Sequence, residues 1–301
     1  MSENPPAKAA VSFLGLGVMG YPMAGHLHAR GHAVTVYNRT FAKAQRWVEA
    51  HSGARLARTP REAAQAARAV FLCVGNDDDL RSVVYGPDGV LAGLTAGAVL
   101  VDHTTASAAV AREFAQACAA QGCHFIDAPV SGGQVGAEKG QLTVMCGGDP
   151  AVFDRVSPLM EAYAKAVTLM GPSGAGQLTK MVNQICIAGT LQGLSEALNF
   201  AQRAGLDPAG VLEVISKGAA QSWQMENRGR TMVEDRFDFG FAVDWMRKDL
   251  GLVLAEAKAN GALLPLTALV DQFYAEVQGL GGGRWDTSSL IRRFRQQGGN
   301  R

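Results

Sequence analysis

Residues 11–20 of the chain read VSFLGLGVMG. The first four residues suit a buried strand, three glycines follow at positions 15, 17 and 20, and a helical pattern begins at the last of them. A strand, a tight turn and a helix are the context in which a G-x-G-x-x-G sequence binds a dinucleotide. A turn without a ligand, or the similar glycine loop of a methyltransferase, are the alternatives. We expect the whole loop to contact the cofactor: Gly15, Leu16, Gly17, Val18, Met19 and Gly20.

Each of the three glycines has its own physical task in such a loop. Gly15 is expected to make the tight turn, Gly17 to let a pyrophosphate approach the backbone, and Gly20 to let the helix pack closely on the strand. The pyrophosphate would then face the helix N-terminus, where backbone N–H groups have no partner inside the helix.

Short apolar stretches of strand type alternate with helical patterns through the first half of the chain. The alternation predicts parallel strands joined by crossover helices, because parallel neighbours need a long connection. Helix starts are marked by the capping box Thr59-Pro60-Arg61-Glu62 and by Asp149-Pro150. We therefore expect an α/β, Rossmann-type doubly wound parallel sheet over residues 1–172. The strand stretches are AVSFLGLG, HAVTVYN, AVFLCVG, AVLVDHT, CHFIDAP, QLTVMCGG and AVTLMG.

The pattern changes after Gly171-Pro172. No proline interrupts residues 176–203, and apolar residues recur there at helical spacing, which predicts one long helix. Helical patterns with stop and start signals such as Gly205 and Asp207-Pro208 continue to the end of the chain. The second domain, residues 173–301, is therefore expected to be all-α and to be joined to the first by the long interdomain helix.

Charge and cysteine usage exclude several classes of protein. The 28 basic and 27 acidic residues leave a net charge of +1, with no basic run suited to nucleic acid or to an anionic membrane. The five cysteines form no C-x-x-C pair, and the clustered histidines near residue 28 lack a carboxylate or cysteine to complete a metal set. Residues 1–10 lack the apolar core of a signal peptide. We expect a cytoplasmic protein without a metal.

The end of the second predicted strand indicates which dinucleotide is bound. An NAD enzyme usually presents an acid to the ribose there, but this chain has Asn38, Arg39 and Thr40. Arg39 can bind a 2′-phosphate with its fork of N–H groups, and Thr40 can donate its hydroxyl as it caps the next helix. We expect these three residues to contact the cofactor and NADP to be preferred, with NAD possible.

Several longer motifs resemble those of the β-hydroxyacid dehydrogenase family, and they occur in that family's order over nearly the whole chain. The family includes 3-hydroxyisobutyrate dehydrogenase, tartronate semialdehyde reductase, glyoxylate and succinic semialdehyde reductases and 6-phosphogluconate dehydrogenase. The motifs after Asp127 are far more specific than the glycine loop alone. All the motifs that carry the resemblance, in chain order, are FLGLGVMGYPMAGHL, FLCVGNDDDL, VDHTTAS, DAPVSGGQVGAEKGQLTVMCGGD, GAGQLTKMVNQ and WMRKDLGLVL.

The resemblance implies that Lys180 is the catalytic acid/base, because it is the lysine of the family's G-x-G-x-x-x-K block. Reduction of a carbonyl by hydride needs a proton for the developing alkoxide, and a desolvated lysine can supply one. Asn183 and Gln184 fall three and four residues later, on the same helix face, and are the other expected catalytic residues. Many relatives carry asparagine at the fourth position, so which of the two amides holds the substrate oxygen is left open.

The resemblance also implies the remaining site residues. Ser131, Gly132 and Gly133 resemble the loop that binds the substrate carboxylate, and a hydroxyl with exposed backbone N–H groups suits an anion. By the same resemblance four further residues are expected to contact the cofactor: Val74, Gly75, Thr105 and Lys248.

These expectations combine into one function and two alternatives. The resemblance implies an NAD(P)-dependent oxidoreductase that interconverts a short β-hydroxy acid and its semialdehyde, as 3-hydroxyisobutyrate dehydrogenase or 2-hydroxy-3-oxopropionate (tartronate semialdehyde) reductase does. Oxidation of L-serine or threonine is one alternative, and a non-catalytic NADP-binding scaffold is the other. The resemblance further implies a homodimer or homotetramer. The identity of the hydroxy acid, and the direction of the reaction in cells, are left open.

Overall fold

The computed structural model describes residues 8–295. Residues 1–7, most of the segment in which a signal peptide is not expected, lie outside the described residues. The described chain forms two compact units that divide between Lys180 and Met181.

Over residues 8–180, the first unit is built from nine strands and eight helices and also contains the start of a ninth helix. Its strands are β1 Ala10–Leu14, β2 Ala33–Tyr37, β3 Arg55–Leu56, β4 Ala69–Leu72, β5 Val99–Asp102, β6 His124–Asp127, β7 Val130–Ser131, β8 Leu142–Gly148 and β9 Ala164–Gly171. Its complete helices are α1 Gly20–Ala29, α2 Phe41–Ala50, α3 Pro60–Ala64, α4 Asp77–Val84, α5 Val90–Gly93, α6 Ala108–Ala119, α7 Gly133–Glu138 and α8 Pro150–Met160.

The strands form one sheet in the order β3-β2-β1-β4-β5-β6-β8-β7, with β9 paired to β8. The six strands from β3 to β6 run parallel, as the alternating pattern predicts, and Phe13 lies beside both Val36 and Phe71 in this register. The prediction of parallel strands is wrong for QLTVMCGG, because β8 runs antiparallel to β6 and β7. The chain turns back through β7 and the short α7 instead of making a full crossover to a parallel neighbour.

Both faces of this sheet are covered, as expected of a doubly wound fold. Successive side chains of a strand point to opposite faces, so Phe13 and Phe71 join one buried cluster while Leu14 and Leu72 join the other. Trp47 completes the first cluster from α2. The continuous apolar sequence of β4 follows from this double burial.

Side-chain caps begin several helices where the sequence predicts them. The Thr59 hydroxyl accepts a hydrogen bond from the Glu62 N–H at 3.0 Å, and the Asp149 carboxylate accepts one from the Val152 N–H at 3.1 Å. At the start of α2 the backbone of Thr40 has the extended conformation of a cap, but its side chain makes no cap hydrogen bond. The capping role expected of the Thr40 hydroxyl is therefore wrong.

The long helix predicted over residues 176–203 is confirmed as α9, Ala175–Arg203, which begins in the first unit and continues into the second. The second unit is helical over its described residues, and Tyr274, Leu191 and Met246 lie in its buried core. No helix within residues 8–295 is long and apolar enough to span a bilayer. The remaining helices are α10 Pro208–Ile215, α11 Trp223–Val233, α12 Val243–Asn260, α13 Pro265–Gly279, a 3₁₀ helix at Thr287–Ile291 and α14 Arg292–Arg295.

Candidate active site

Five parallel strands of the first unit end at one edge of the sheet. Backbone hydrogen bonds link neighbouring loops along this edge, which are those after β1, β2, β4, β5 and β6. One of them runs from the Gly15 N–H to the Tyr37 carbonyl at 3.0 Å. The chain passes from β1 to β2 on one side, while β4 pairs with β1 on the other. Ligands of open α/β sheets bind in the crevice that this change of direction creates.

The glycine loop after β1 has the backbone geometry that a dinucleotide needs. Gly15 has a φ of +98°, and a Cβ there would collide with the Cys73 carbonyl. A Cβ on Gly20 would collide with the Gly15 carbonyl and would lie 2.9 Å from the Phe13 ring. At Gly17, by contrast, an added Cβ would meet no atom within 4 Å. The first and third glycines therefore allow close packing, and the second leaves open the place where a pyrophosphate would approach.

The other residues of the loop divide between packing and exposure. Leu16 is buried, and its N–H donates to the Asn38 side-chain oxygen at 2.9 Å. Asn38 in turn donates to the Thr40 carbonyl at 3.1 Å. Asn38 thus ties the glycine loop to the end of β2. Val18 is exposed, and Met19 is half-buried.

Arg39 lies on the surface beside the next loop along the edge. Its guanidinium contacts the Asp79 carboxylate at 2.8 Å, although its side chain is 81% exposed. Asp79 stands in the first turn of α4, just after Val74 and Gly75, which are half-buried. Because an exposed ion pair contributes about 1 kcal/mol or less, a phosphate could take over the arginine at little cost.

The loop after β5 is anchored to its neighbours. The Thr104 hydroxyl accepts a hydrogen bond from the Val74 N–H at 3.0 Å, and the Thr104 N–H donates to the Asp102 carboxylate at 2.9 Å. The next residue, Thr105, is half-buried. Val74 and Thr105, both expected to contact the cofactor, are therefore held in neighbouring loops.

A buried carboxylate lies where α9 begins. Asp127 is fully buried at the end of β6 and accepts hydrogen bonds from the Gly174 N–H at 2.7 Å and the Gln177 N–H at 3.0 Å. Burial raises the pKa of Asp127 from 3.8 to about 6, and the backbone N–H donors partly oppose that shift. The sequence marked Asp127 only as a strand end, although an acid that closes a buried strand usually has such partners.

The side chain of Gln177 links the same helix turn to the loop after β5. Its amide oxygen accepts from the Ala106 N–H at 3.0 Å, and its amide nitrogen donates to the Thr104 carbonyl at 2.7 Å. Gln177 is fully buried. No sequence motif indicates a role for this residue, because its partner atoms are backbone groups that carry no sequence signal.

Lys180 is buried, with 7% of its surface exposed, three residues after Gln177 on α9. A buried lysine is uncommon unless it has partners or a chemical task. The structure therefore places the expected proton donor on the turn that Asp127 and Gln177 hold.

The segment Ser131-Gly132-Gly133 leaves the sheet at β7 and begins α7. Gly132 and Gly133 are exposed and have φ values of +131° and +61°. Consecutive residues in this region turn backbone N–H groups outward, and neither glycine adds a side chain that competes for an anion.

In the second unit, the two candidate amides are linked to each other. Gln184 is buried, its oxygen accepts from the Asn183 amide at 2.8 Å, and its nitrogen donates to the Asp249 carboxylate at 2.6 Å. The other oxygen of Asp249 contacts the Lys248 ammonium at 2.9 Å. Asn183, Gln184 and Lys248 are thus linked through Asp249, a residue that is not among those predicted from the sequence. Within residues 8–295 no three His, Cys, Asp or Glu side chains are grouped to hold a metal ion.

Two models of known protein families together match nearly all of the described chain. A family model described as the NAD binding domain of 6-phosphogluconate dehydrogenase matches residues 10–171. A second, described as NAD-binding of NADP-dependent 3-hydroxyisobutyrate dehydrogenase, matches residues 174–294.

Individual relatives match nearly end to end. An oxidoreductase of Shewanella frigidimarina is 65% identical over 286 residues, which cover 95% of this chain and 98% of that one. The 2-hydroxy-3-oxopropionate reductase of Escherichia coli is 37% identical and covers 93% of this chain and 95% of its own. The solved structure of Mycobacterium tuberculosis 3-hydroxyisobutyrate dehydrogenase with L-serine has a TM-score of 0.86, 30% identity, and coverage of 96% of this chain and 99% of its own.

Proposed function

Because the chain belongs to the β-hydroxyacid dehydrogenase family, we propose that it interconverts a short β-hydroxy acid and its semialdehyde by hydride transfer, with Lys180 as the acid/base. It is an NAD(P)-dependent oxidoreductase that acts on CH–OH groups, of the 3-hydroxyisobutyrate dehydrogenase and 2-hydroxy-3-oxopropionate reductase type. The proposal adds the substrate class, the residues and their roles.

The observation that carries the proposal is the burial of Lys180 on the first turns of α9. The side chain of Gln177, on the same turn, bonds to the backbone of residues 104–106. These residues follow β5, and β4 lies between β5 and the strand that precedes the glycine loop. A lysine at this position can donate a proton near the loops that are expected to hold the cofactor. A solvated helix-surface lysine would instead be exposed.

The reaction in the reducing direction needs one hydride and one proton. NADPH, when bound, supplies the hydride to the carbonyl carbon. The Lys180 ammonium donates a proton to the carbonyl oxygen as that oxygen gains negative charge, and the neutral amine accepts it back in the oxidising direction. The Lys180 ammonium and an amide N–H of the following turn would stabilise the negative charge that develops on this oxygen.

The substrate carboxylate is assigned to Ser131, Gly132 and Gly133. The exposed backbone of the two glycines and the serine hydroxyl supply donors but no acidic side chain. In a short β-hydroxy acid a single carbon separates the carboxylate from the reacting carbon. One anion site therefore fixes the orientation of the substrate.

Of the two amides after Lys180, we assign the substrate contact to Asn183. Gln184 is buried and uses both its amide oxygen and its amide nitrogen within the protein, whereas Asn183 is only half-buried. Gln184 then acts by orienting Asn183. The cofactor contact expected of Lys248 remains a prediction.

The preference for NADP is assigned to Arg39, which would leave Asp79 and bind the 2′-phosphate. Val74, Gly75 and Thr105 would line the crevice for the nicotinamide half. A charged hydrogen bond contributes about 1.5 to 3 kcal/mol, which corresponds to about tenfold to a hundredfold in affinity.

A second substrate class has its own support. The solved structure of the Mycobacterium tuberculosis relative contains L-serine, which is itself a β-hydroxy acid with an added amino group. The anion site at residues 131–133 would accept its carboxylate equally well. Oxidation of L-serine or threonine is therefore the second candidate.

Kinetic profiling with both cofactors tests the proposal. The compounds are glyoxylate, succinic semialdehyde, methylmalonate semialdehyde, tartronate semialdehyde, 3-hydroxyisobutyrate and serine. We expect turnover of at least one acid or semialdehyde, and a kcat/KM about tenfold or more higher with NADPH than with NADH. NADPH binding without turnover of any compound would favour the non-catalytic scaffold instead, and a preference for NADH would refute the role of Arg39.

A further inference from the structure

Gln177 makes three hydrogen bonds that join separate parts of the first unit. Its side chain contacts backbone groups on both sides of Thr105, through the Thr104 carbonyl at 2.7 Å and the Ala106 N–H at 3.0 Å. Its own N–H donates to the Asp127 carboxylate at 3.0 Å. A single buried residue therefore contacts the loop after β5 and the end of β6.

Asp127 fixes the helix end of this network. It accepts N–H groups from Gly174 and Gln177, which lie on either side of the first residues of α9. A Cβ on Gly176 would lie 2.8 Å from the Asp127 carbonyl oxygen, and a Cβ on Gly147 would lie 2.6 Å from its carboxylate. The absence of side chains at both glycines lets the helix start directly against the strand ends.

The loop end of the network is fixed independently. The Thr104 N–H donates to Asp102 and the Thr104 hydroxyl accepts from the Val74 N–H. Residues 104–106 are therefore held by the strands on one side and by Gln177 on the other.

We propose that Gln177, oriented by Asp127, is a positioning residue that keeps Thr105 in register with Lys180. The proposal rests on the function proposed above, in which Thr105 lies at the nicotinamide half of the cofactor and Lys180 donates the proton. Lys180 follows Gln177 by about one helical turn, so a displacement of Gln177 moves Lys180 with it. Hydride and proton transfer both depend on that alignment, whereas cofactor affinity depends mainly on the glycine loop and Arg39.

Replacement of Gln177 by leucine tests the proposal, because leucine fills similar space but makes neither hydrogen bond. The matched control is Gln192→Leu, since Gln192 is a buried glutamine on the same helix whose side chain donates to Glu196 at 2.6 Å. We expect Gln177→Leu to lower kcat at least tenfold, to change the Kd for NADPH less than threefold, and to raise the primary deuterium isotope effect. Gln192→Leu should leave all three unchanged.

Two results would overturn the proposal. One is a folded Gln177→Leu variant whose kcat stays within twofold of the wild type. The other is a loss that lies entirely in NADPH affinity, because that would make Gln177 part of cofactor binding rather than of alignment.

Gln177→Glu keeps the test decisive if the leucine variant does not fold. The introduced carboxyl reproduces both hydrogen bonds when protonated, but cannot donate to the Thr104 carbonyl when ionised. The charged or titratable groups on the elements that this network joins are Asp127 at the Gln177 N–H, Asp102 at the Thr104 N–H, Lys180 one turn along α9, Cys146 near Asp127 and Arg112 near Gly174. We expect its kcat, divided by that of the wild type, to fall from pH 6 to pH 9. A ratio near one throughout would overturn the proposal.

Turnover by the wild type distinguishes a failure of the proposed function from a failure of this inference. If the wild type turns over no compound, the function fails, and amide hydrogen exchange then decides the coupling. Gln177→Leu must speed exchange at Ala106 and Gly174 at least tenfold while Gln192→Leu does not. Unchanged exchange at both amides overturns the inference on its own.

Discussion

His103 lies buried at the start of the loop after β5, and its ring is parallel to that of Phe71, with 5.7 Å between the two ring centroids. Its Nδ1 lies 2.7 Å from the Ala128 carbonyl, which can only accept, so that nitrogen carries the proton. Its Nε2 then accepts from the Tyr163 hydroxyl at 2.9 Å. A neutral ring satisfies both contacts, and burial lowers the pKa of His103 from 6.5 to about 4.

The pKa of His103 predicts how stability depends on pH. In the unfolded chain His103 is protonated below about pH 6.5, whereas in the folded protein it is protonated only below about pH 4. The folded state therefore loses stability as the pH falls from 6.5 to 4. Relative to His103→Gln, the wild type should lose about 2 to 3 kcal/mol between pH 7.5 and pH 4.5. Urea unfolding at the two pH values measures the difference, and a difference independent of pH would contradict the neutral buried ring.

Asp127 supplies the comparison with opposite sign. Its pKa is about 6 in the folded protein against 3.8 unfolded, so the folded state binds the extra proton and its stability falls as the pH rises through that window. In the same unfolding experiment, the wild type should therefore lose stability relative to Asp127→Asn as the pH rises from 4.5 to 7.5. Relative to His103→Gln, it should gain stability over the same pH range.

At the scale of single elements, the start of α9 depends on glycine. A Cβ on Gly176 would collide with the Met145 carbonyl, whereas a Cβ on Gly193, farther along the same helix, would meet no atom within 4 Å. The first glycine is required by close packing, and the second is an ordinary helix interior position where glycine costs backbone entropy.

This contrast predicts opposite effects of one substitution. Gly176→Ala should destabilise the protein by about 1 to 3 kcal/mol, because the helix must move away from β6 and β8. Gly193→Ala should stabilise it by about 0.5 to 1 kcal/mol. Chemical unfolding of the two variants beside the wild type checks both values. Equal effects at the two positions would mean that the first turn is not held against the strands.

Elements with a long repeated pattern are the ones that sequence predicts well. The seven apolar stretches correspond to β1, β2, β4, β5, β6, β8 and β9, and α9 begins within one residue of the predicted start. The strands β3 and β7 were not predicted, because two residues are too short to show an alternation. The direction of β8 could not be predicted either, since strand direction depends on the connection and not on the apolar pattern.

Over the whole molecule, sequence motifs locate residues but do not show how they are held. The motifs pointed to Lys180, Arg39 and the glycine loop because those residue types have recognisable chemistry. They did not point to Gln177 or Asp249, whose importance comes from contacts with residues far away in the sequence. The homodimer or homotetramer and the cytoplasmic location implied by sequence remain predictions.

The proposed chemistry depends on proton donation by Lys180, which the rate of the chemical step reports. Single-turnover reduction of the best semialdehyde by NADPH is compared for the wild type, Lys180→Ala and Lys165→Ala, whose lysine is exposed on β9. We predict that Lys180→Ala slows the chemical step by about 10² to 10⁴-fold, with the Kd for NADPH within threefold of the wild type, while Lys165→Ala changes neither. A Lys180→Ala enzyme that reduces the substrate within tenfold of the wild-type rate would refute Lys180 as the proton donor.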